Sequence, residues 1–98
     1  MSDLRFTWDP RKAAANKRKH GVTFDEATTV FLDDDALLMA DPDHSTDEDR
    51  FLLLGLSARL RLLVVCHCLR EKGEVIRLIS ARKADKLERD QYNERVRI

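Results

Sequence analysis

Apolar and polar positions change period several times along the chain, and each change marks an element. Leu4, Phe6 and Trp8 alternate with Arg5 and Thr7, the period of a short half-buried strand. Asp9-Pro10 then predicts a helix start, since Asp accepts from the free N–H groups of a first turn and Pro has no N–H to leave unpaired there. The helix is expected over Arg11–His20, with Lys17, Arg18 and Lys19 at its negative end and Gly21 as the left-handed residue that stops it. Thr23-Phe24-Asp25-Glu26 reads as a capping box in which Glu26 reaches back to the Thr23 N–H. Phe24, Ala27, Val30 and Phe31 give that second helix one apolar face, and Asp33-Asp34-Asp35 ends it.

Beyond the aspartates the period becomes that of strands. Ala36–Ala40 is a short apolar strand, followed by an acidic loop over Asp41–Asp49. Arg50–Leu56, Arg61–Leu69 and Glu74–Ser80 read as three strands, and Ser57–Leu60 and Arg70–Gly73 are short enough to be hairpin turns. Ala84, Leu87, Tyr92 and Val96 give a closing helix a thin apolar stripe. The predicted fold is α+β, in the order β-α-α-β-β-β-β-α, with helices packed on a mainly antiparallel sheet. Alternation in the sheet is poor, because Leu52–Leu54 and Leu62–Val65 make both faces apolar. If helices cover one face, the other is central core or a surface awaiting a partner.

Length and composition add limits. The 98 residues accommodate one domain spanning 1–98, and 43% hydrophobic residues suffice for a core. The longest apolar run, Phe51–Leu56, is far shorter than the ~18–20 residues of a membrane span. A cytoplasmic protein with no membrane association is expected. Cys66 and Cys68 fit that compartment as buried, reduced thiols; as Cys-x-Cys they form at most half a zinc site, and there is no second pair. Net charge is zero, but it is unevenly spread. Residues 1–22 hold six basic and two acidic side chains, residues 23–49 hold ten acidic and no basic ones, and residues 50–98 hold twelve basic and six acidic ones. Two basic blocks therefore flank an acidic one: either they neutralise it within the fold, or they offer a phosphate-binding patch.

Several residues resemble a known family. Phe6, Trp8-Asp9-Pro10, Lys12-Ala13, Asn16, Lys19-His20-Gly21-Val22, Phe24 and Ala27 look like the opening motif of the BrnT family, toxins of type II toxin–antitoxin systems. Arg77–Ala84, Glu88-Arg89 and Tyr92 resemble its closing motif, with weaker matches at Asp41, His44, Glu48, Arg50 and Gly55. The resemblance implies a RelE-like ribonuclease fold and an RNA-cleaving toxin that blocks translation. It also implies a BrnA-like antitoxin that would carry the pair to operator DNA, in a toxin–antitoxin hetero-oligomer.

Metal-free RNA cleavage needs a base for the ribose 2′-OH, cations for the phosphorane, and help for the leaving oxygen. Arg61 and Arg82, at strand ends, are the expected carriers of transition-state charge, because guanidinium pairs two phosphate oxygens and stays ionised. Their removal is expected to abolish toxicity and leave folding largely intact. Either could instead be a turn residue or a structural ion pair. His20 is the general acid or base by residue type, or simply a cation at a helix end. Arg50 is a supporting catalytic candidate, or a partner of the acidic loop; Arg50 and Arg61 begin at opposite ends of their hairpin. Lys19, Lys83 and Tyr92 are expected RNA contacts, although a Tyr at helical spacing from Glu88 is more often a core aromatic with a wet hydroxyl. No cofactor and no metal are expected: His67 sits mid-strand, and His44 in the acidic loop lacks the glycine and oxygen spacing of a calcium loop. The opposing reading is a non-catalytic binding module, a degenerate toxin acting as co-repressor within a DNA-binding complex.

Overall fold

The fold is built around a strand whose middle six residues are buried on both faces. In the computed structural model, which describes residues 4–41 and 50–97, the elements run β1 (Arg5–Thr7), α1 (Pro10–His20), α2 (Phe24–Thr29), β2 (Leu37–Ala40), β3 (Arg50–Leu56), β4 (Leu62–Arg70), β5 (Val75–Lys83) and α3 (Lys86–Val96). Single 3-10 turns at Val30–Leu32 and Glu71–Gly73 complete them. The five strands form one sheet in the order β1-β5-β4-β3-β2. Only β1 with β5 is parallel. The expected acidic loop, with His44 and Glu48, lies outside the described residues apart from Asp41.

Strand β4 is central, and its consecutive apolar residues are explained by cover on both faces. Leu63 and Val65 point to a cluster with Val22, Phe24, Ala27 and Val30 from α1, α2 and their connections. Val64, between them, points the other way, to Leu54, Ala84 and Tyr92 beneath α3. The sheet is thus a middle layer, with α1 and α2 on one side and α3 on the other. This corrects the sequence reading in which the second face is either core or open. Tyr92 and Val96 form the stripe that closes it, since residues four apart lie on one helical face.

Local chemistry agrees with the helix boundaries. The Asp9 side chain accepts from Arg11 N–H at 2.8 Å, Pro10 opens α1, and Gly21 at φ 69° ends it by donating to Lys17 O at 2.9 Å. At α2, Thr23 Oγ1 accepts from Glu26 N–H at 3.1 Å. The return half of that capping box is missing, because the Glu26 carboxylate is occupied elsewhere. A complete box forms instead at α3, between Asp85 and Glu88. Strand β5 runs three residues further than predicted, to Lys83, and carries a bulge opposite Cys66 and His67 that leaves Ile79 unpaired.

Asp33 ties the layers together. Its carboxylate accepts from Leu56 N–H at 2.8 Å, Tyr92 Oη–H at 2.6 Å and Asp35 N–H at 3.0 Å. Burial raises its pKa, but these hydrogen bonds outweigh it and hold the carboxyl below its ordinary value. Burial, and then the same contact with Asp33, push the Tyr92 hydroxyl up to about 12. Gly55 makes the approach of this segment to β3 feasible: a Cβ there would lie 2.9 Å from Ala36 Cβ and from Val30 Cγ1, and 3.1 Å from Asp33 Oδ2. Gly55→Ala is therefore expected to destabilise the protein by about 1–3 kcal/mol, the usual cost of overpacking. Urea titration should show an earlier midpoint with an unchanged slope; an unchanged midpoint would mean the segment yields freely.

Candidate functional site

Strand β1 leaves β5 after Thr7, paired with Arg77, so the outer edge of β5 beyond that point has no strand neighbour. Helix α1 takes that place. Buried Asn16 donates Nδ2–H to the carbonyl oxygens of Ala81 (2.8 Å) and Val22 (2.9 Å), while its Oδ1 accepts from Ala81 N–H (3.0 Å). One side-chain amide thus gives Ala81 both hydrogen bonds that an adjacent strand would supply. The helix turn that follows Asn16 carries the basic residues Lys17–His20 alongside the end of β5.

Between the two elements lies a shallow groove of about 220 Å³ lined by Lys12, Asn16, Lys19, His20, Ile79 and Ser80. Two of the predicted residues, Lys19 and His20, therefore share a site. Lys12, Asn16 and Ser80 figured only in the family motifs, not among the predicted site residues; for Asn16, a poor helix former at the spacing of the buried face is the signal. Arg82 and Lys83 follow directly on Ala81. Lys83 is exposed, whereas Arg82 turns to the α3 side and forms a fork with Glu88 at 2.7 and 2.9 Å.

Arg61 is on the opposite side of the sheet from Arg82. Its guanidinium pairs with both oxygens of Glu26 in α2, through Nε at 2.9 Å and through Nη2, and also donates to Gly21 O at 3.2 Å. Glu26 is buried and accepts in addition from Ser57 Oγ–H at 2.7 Å, with Arg59 at 3.9 Å. Arg61 thus abuts the His20 end of α1 but spends its fork on a carboxylate. The expectation that Arg61 could be removed without cost to folding fails for this reason.

Arg50 stands apart. It pairs with Cys68, whereas Arg61 adjoins the pair Leu56–Leu62, so about 20 Å of strand separates them at ~3.3 Å per residue. Its cross-strand neighbours are Cys68 and, one strand further, Arg77. Tyr92 is buried beneath α3, which presents its hydroxyl to Asp33 rather than its ring to solvent. The two cysteines are buried thiols rather than a disulfide, and burial together with Asp41 pushes Cys66 up to about 11, which disfavours the thiolate. His67 is buried between Phe31 and Phe51, and burial lowers its pKa. Among the described residues no three His, Cys, Asp or Glu side chains converge on a common point, and no helix is long and apolar enough to cross a membrane.

A five-stranded, mostly antiparallel sheet between helices, with a basic helix end set against the last strand, defines a small α+β domain. Residues 8–88 match the family model described as the ribonuclease toxin BrnT of type II toxin–antitoxin systems, and the chain belongs to that family. The crystal structure of the Brucella abortus ribonuclease toxin BrnT is similar to it, with a TM-score of 0.64 at 23% identity over 86% of this chain and 100% of that one. None of the curated proteins matches the sequence.

Glu26 is held below its ordinary value chiefly by the Arg61 hydrogen bond, and Glu88 likewise by Arg82. A carboxylate depressed in the folded state stabilises it at every pH above the unfolded value. That stability is lost as pH falls through ~4.3 toward the folded value. Unfolding free energy should thus be flat near neutrality and decline below about pH 5, less steeply in Glu26→Gln. Arg61→Ala leaves the buried Glu26 carboxylate without its main partner and should lower the melting temperature at neutral pH. Thermal melts of the two variants against pH test both statements.

Proposed function

We propose that this chain is the RNA-cleaving component of a type II toxin–antitoxin pair: a RelE-like, metal-independent endoribonuclease. It consists of one toxin domain spanning 1–98, acts in the cytoplasm and stops translation. A BrnA-like antitoxin neutralises it in a hetero-oligomer, through which it reaches operator DNA. The observation that carries this reading is the groove between α1 and β5, where Lys12, Lys19 and His20 face Ser80.

Phosphate would enter between these cations, with exposed Lys83 extending the positive edge along the strand, and Arg82 would contribute only by leaving its Glu88 fork on the α3 side. His20 is the group available for proton transfer. Taking the proton from a ribose 2′-OH lets that oxygen attack phosphorus; the P–O5′ bond then breaks, leaving a cyclic phosphate and a protonated 5′-oxygen. Every charge in this scheme is met by Lys, Arg or His, so no step calls for a metal. Asn16 positions the helix end, and Arg61 supports it through the Gly21 carbonyl. Arg50 and Tyr92, expected at the site, stand outside it. One observation favours the non-catalytic co-repressor instead: both Arg61 and Arg82 are already paired with carboxylates.

Expression of the chain alone should arrest growth and cut RNA, with cleavage persisting in excess chelator. His20→Ala should slow cleavage by about 10²–10⁴-fold. Lys19→Ala and Arg82→Ala should each cost about 10²-fold or more if they stabilise developing charge. Folded protein that neither arrests growth nor cuts RNA would overturn the nuclease and support the co-repressor, and metal-restored activity after chelation would overturn the metal-free scheme.

A further inference from the structure

Strand β2 is a short, uncharged edge of four residues. It pairs with β3 alone among the described residues, and its sequence, Leu37-Leu38-Met39-Ala40, has no Pro, Lys or bulge. Asp41 N–H donates to Arg50 O across the pair, so the alternation of an antiparallel ladder turns the N–H and C=O groups of Leu38 and Ala40 outward. Both residues are exposed, Leu38 to 61%. On the α3 side, a trough of about 620 Å³ runs beside the strand, lined by Leu37, Asp90, Gln91, Glu94 and Arg95.

A strand laid along β2 would place alternate side chains in this trough and over Leu38, the pattern by which sheet edges read extended peptides. The charge of the surroundings decides what the strand is. β2 is preceded by the exposed Asp34 and Asp35 and followed by Asp41. The trough rim adds Asp90 and Glu94; their partners Lys86 and Arg97 are solvent-exposed, and Arg95 is turned to the Asp35 carbonyl. A second copy would bring the same acidic block against this one, and RNA would be repelled.

We propose that the outer edge of β2 receives an extended segment of the antitoxin, one that alternates apolar with basic residues, and that it adds a sixth strand to the sheet. This rests on the family's having a protein antitoxin, and it puts the docking strand at the far edge of the sheet from the α1–β5 groove.

The test is amide hydrogen exchange on the free chain and on its complex with the antitoxin co-expressed from the adjacent reading frame, together with titration of surface variants. The complex should slow exchange at Leu38 and Ala40 at least tenfold. Leu38→Lys and Glu94→Lys, both at exposed positions, should each weaken binding about tenfold or more, and Leu4→Lys beside the opposite edge should not. RNA cleavage by the free variants should equal that of the parent chain. Absence of a complex, unchanged affinity in both variants, or protection confined to the α1–β5 groove overturns the proposal. A concentration-dependent homodimer that protects Leu38 and Ala40 would also overturn it, in favour of a second copy. A chain that binds through β2 yet cuts no RNA refutes the nuclease reading alone.

Discussion

One amide side chain sets the relation between the functional helix and the sheet. Strand β1 is only three residues long, and without it β5 would present unpaired backbone groups along most of its outer edge. Asn16 satisfies Ala81 on both its donor and its acceptor, and it draws in the Val22 carbonyl as well. Buried backbone groups are costly to leave unpaired, so this bond pattern fixes the position of α1 along the strand. Lys19 and His20 are held beside β5 as a consequence. A β1 long enough to pair with the whole of β5 would have closed the groove.

The charged residues divide into those that hold the structure and those that remain outside. Glu26 meets Arg61 and Arg59, so part of the acidic block does neutralise a basic one within the fold. Glu88 anchors Arg82 while also capping α3. Both arginines are therefore preorganised by a carboxylate, one on each side of the sheet. Preorganisation has two consequences for a phosphate ligand: the guanidinium needs no ordering on binding, yet the carboxylate competes for its fork.

The sheet also separates charge by edge. The basic end of α1 lies against β5, while β2, at the other edge, follows Asp33-Asp34-Asp35 and precedes Asp41. Neutral overall composition is thus the sum of two surfaces of opposite sign. Under the proposed function the first would meet RNA, and under the proposed docking the second would meet a basic segment of the antitoxin.

Much of this was legible in the sequence. Asp9-Pro10 and Gly21 bounded α1, period and turn residues placed the three long antiparallel strands, and the opening motif identified the family. These features depend on neighbours within a few residues, where local sterics and capping decide the outcome. Other features depended on residues far apart in the chain. The parallel pairing of β1 with β5 joins the two ends of the protein, and α3 crosses to the face left open by α1 and α2. The Glu26 carboxylate turned from its own helix start to Arg61, thirty-five residues on, because a buried charge is stabilised more by an opposite charge than by a backbone N–H. Which cations stand free at a groove and which are spent inside the fold is settled by such long-range pairings, and therefore only by the tertiary structure.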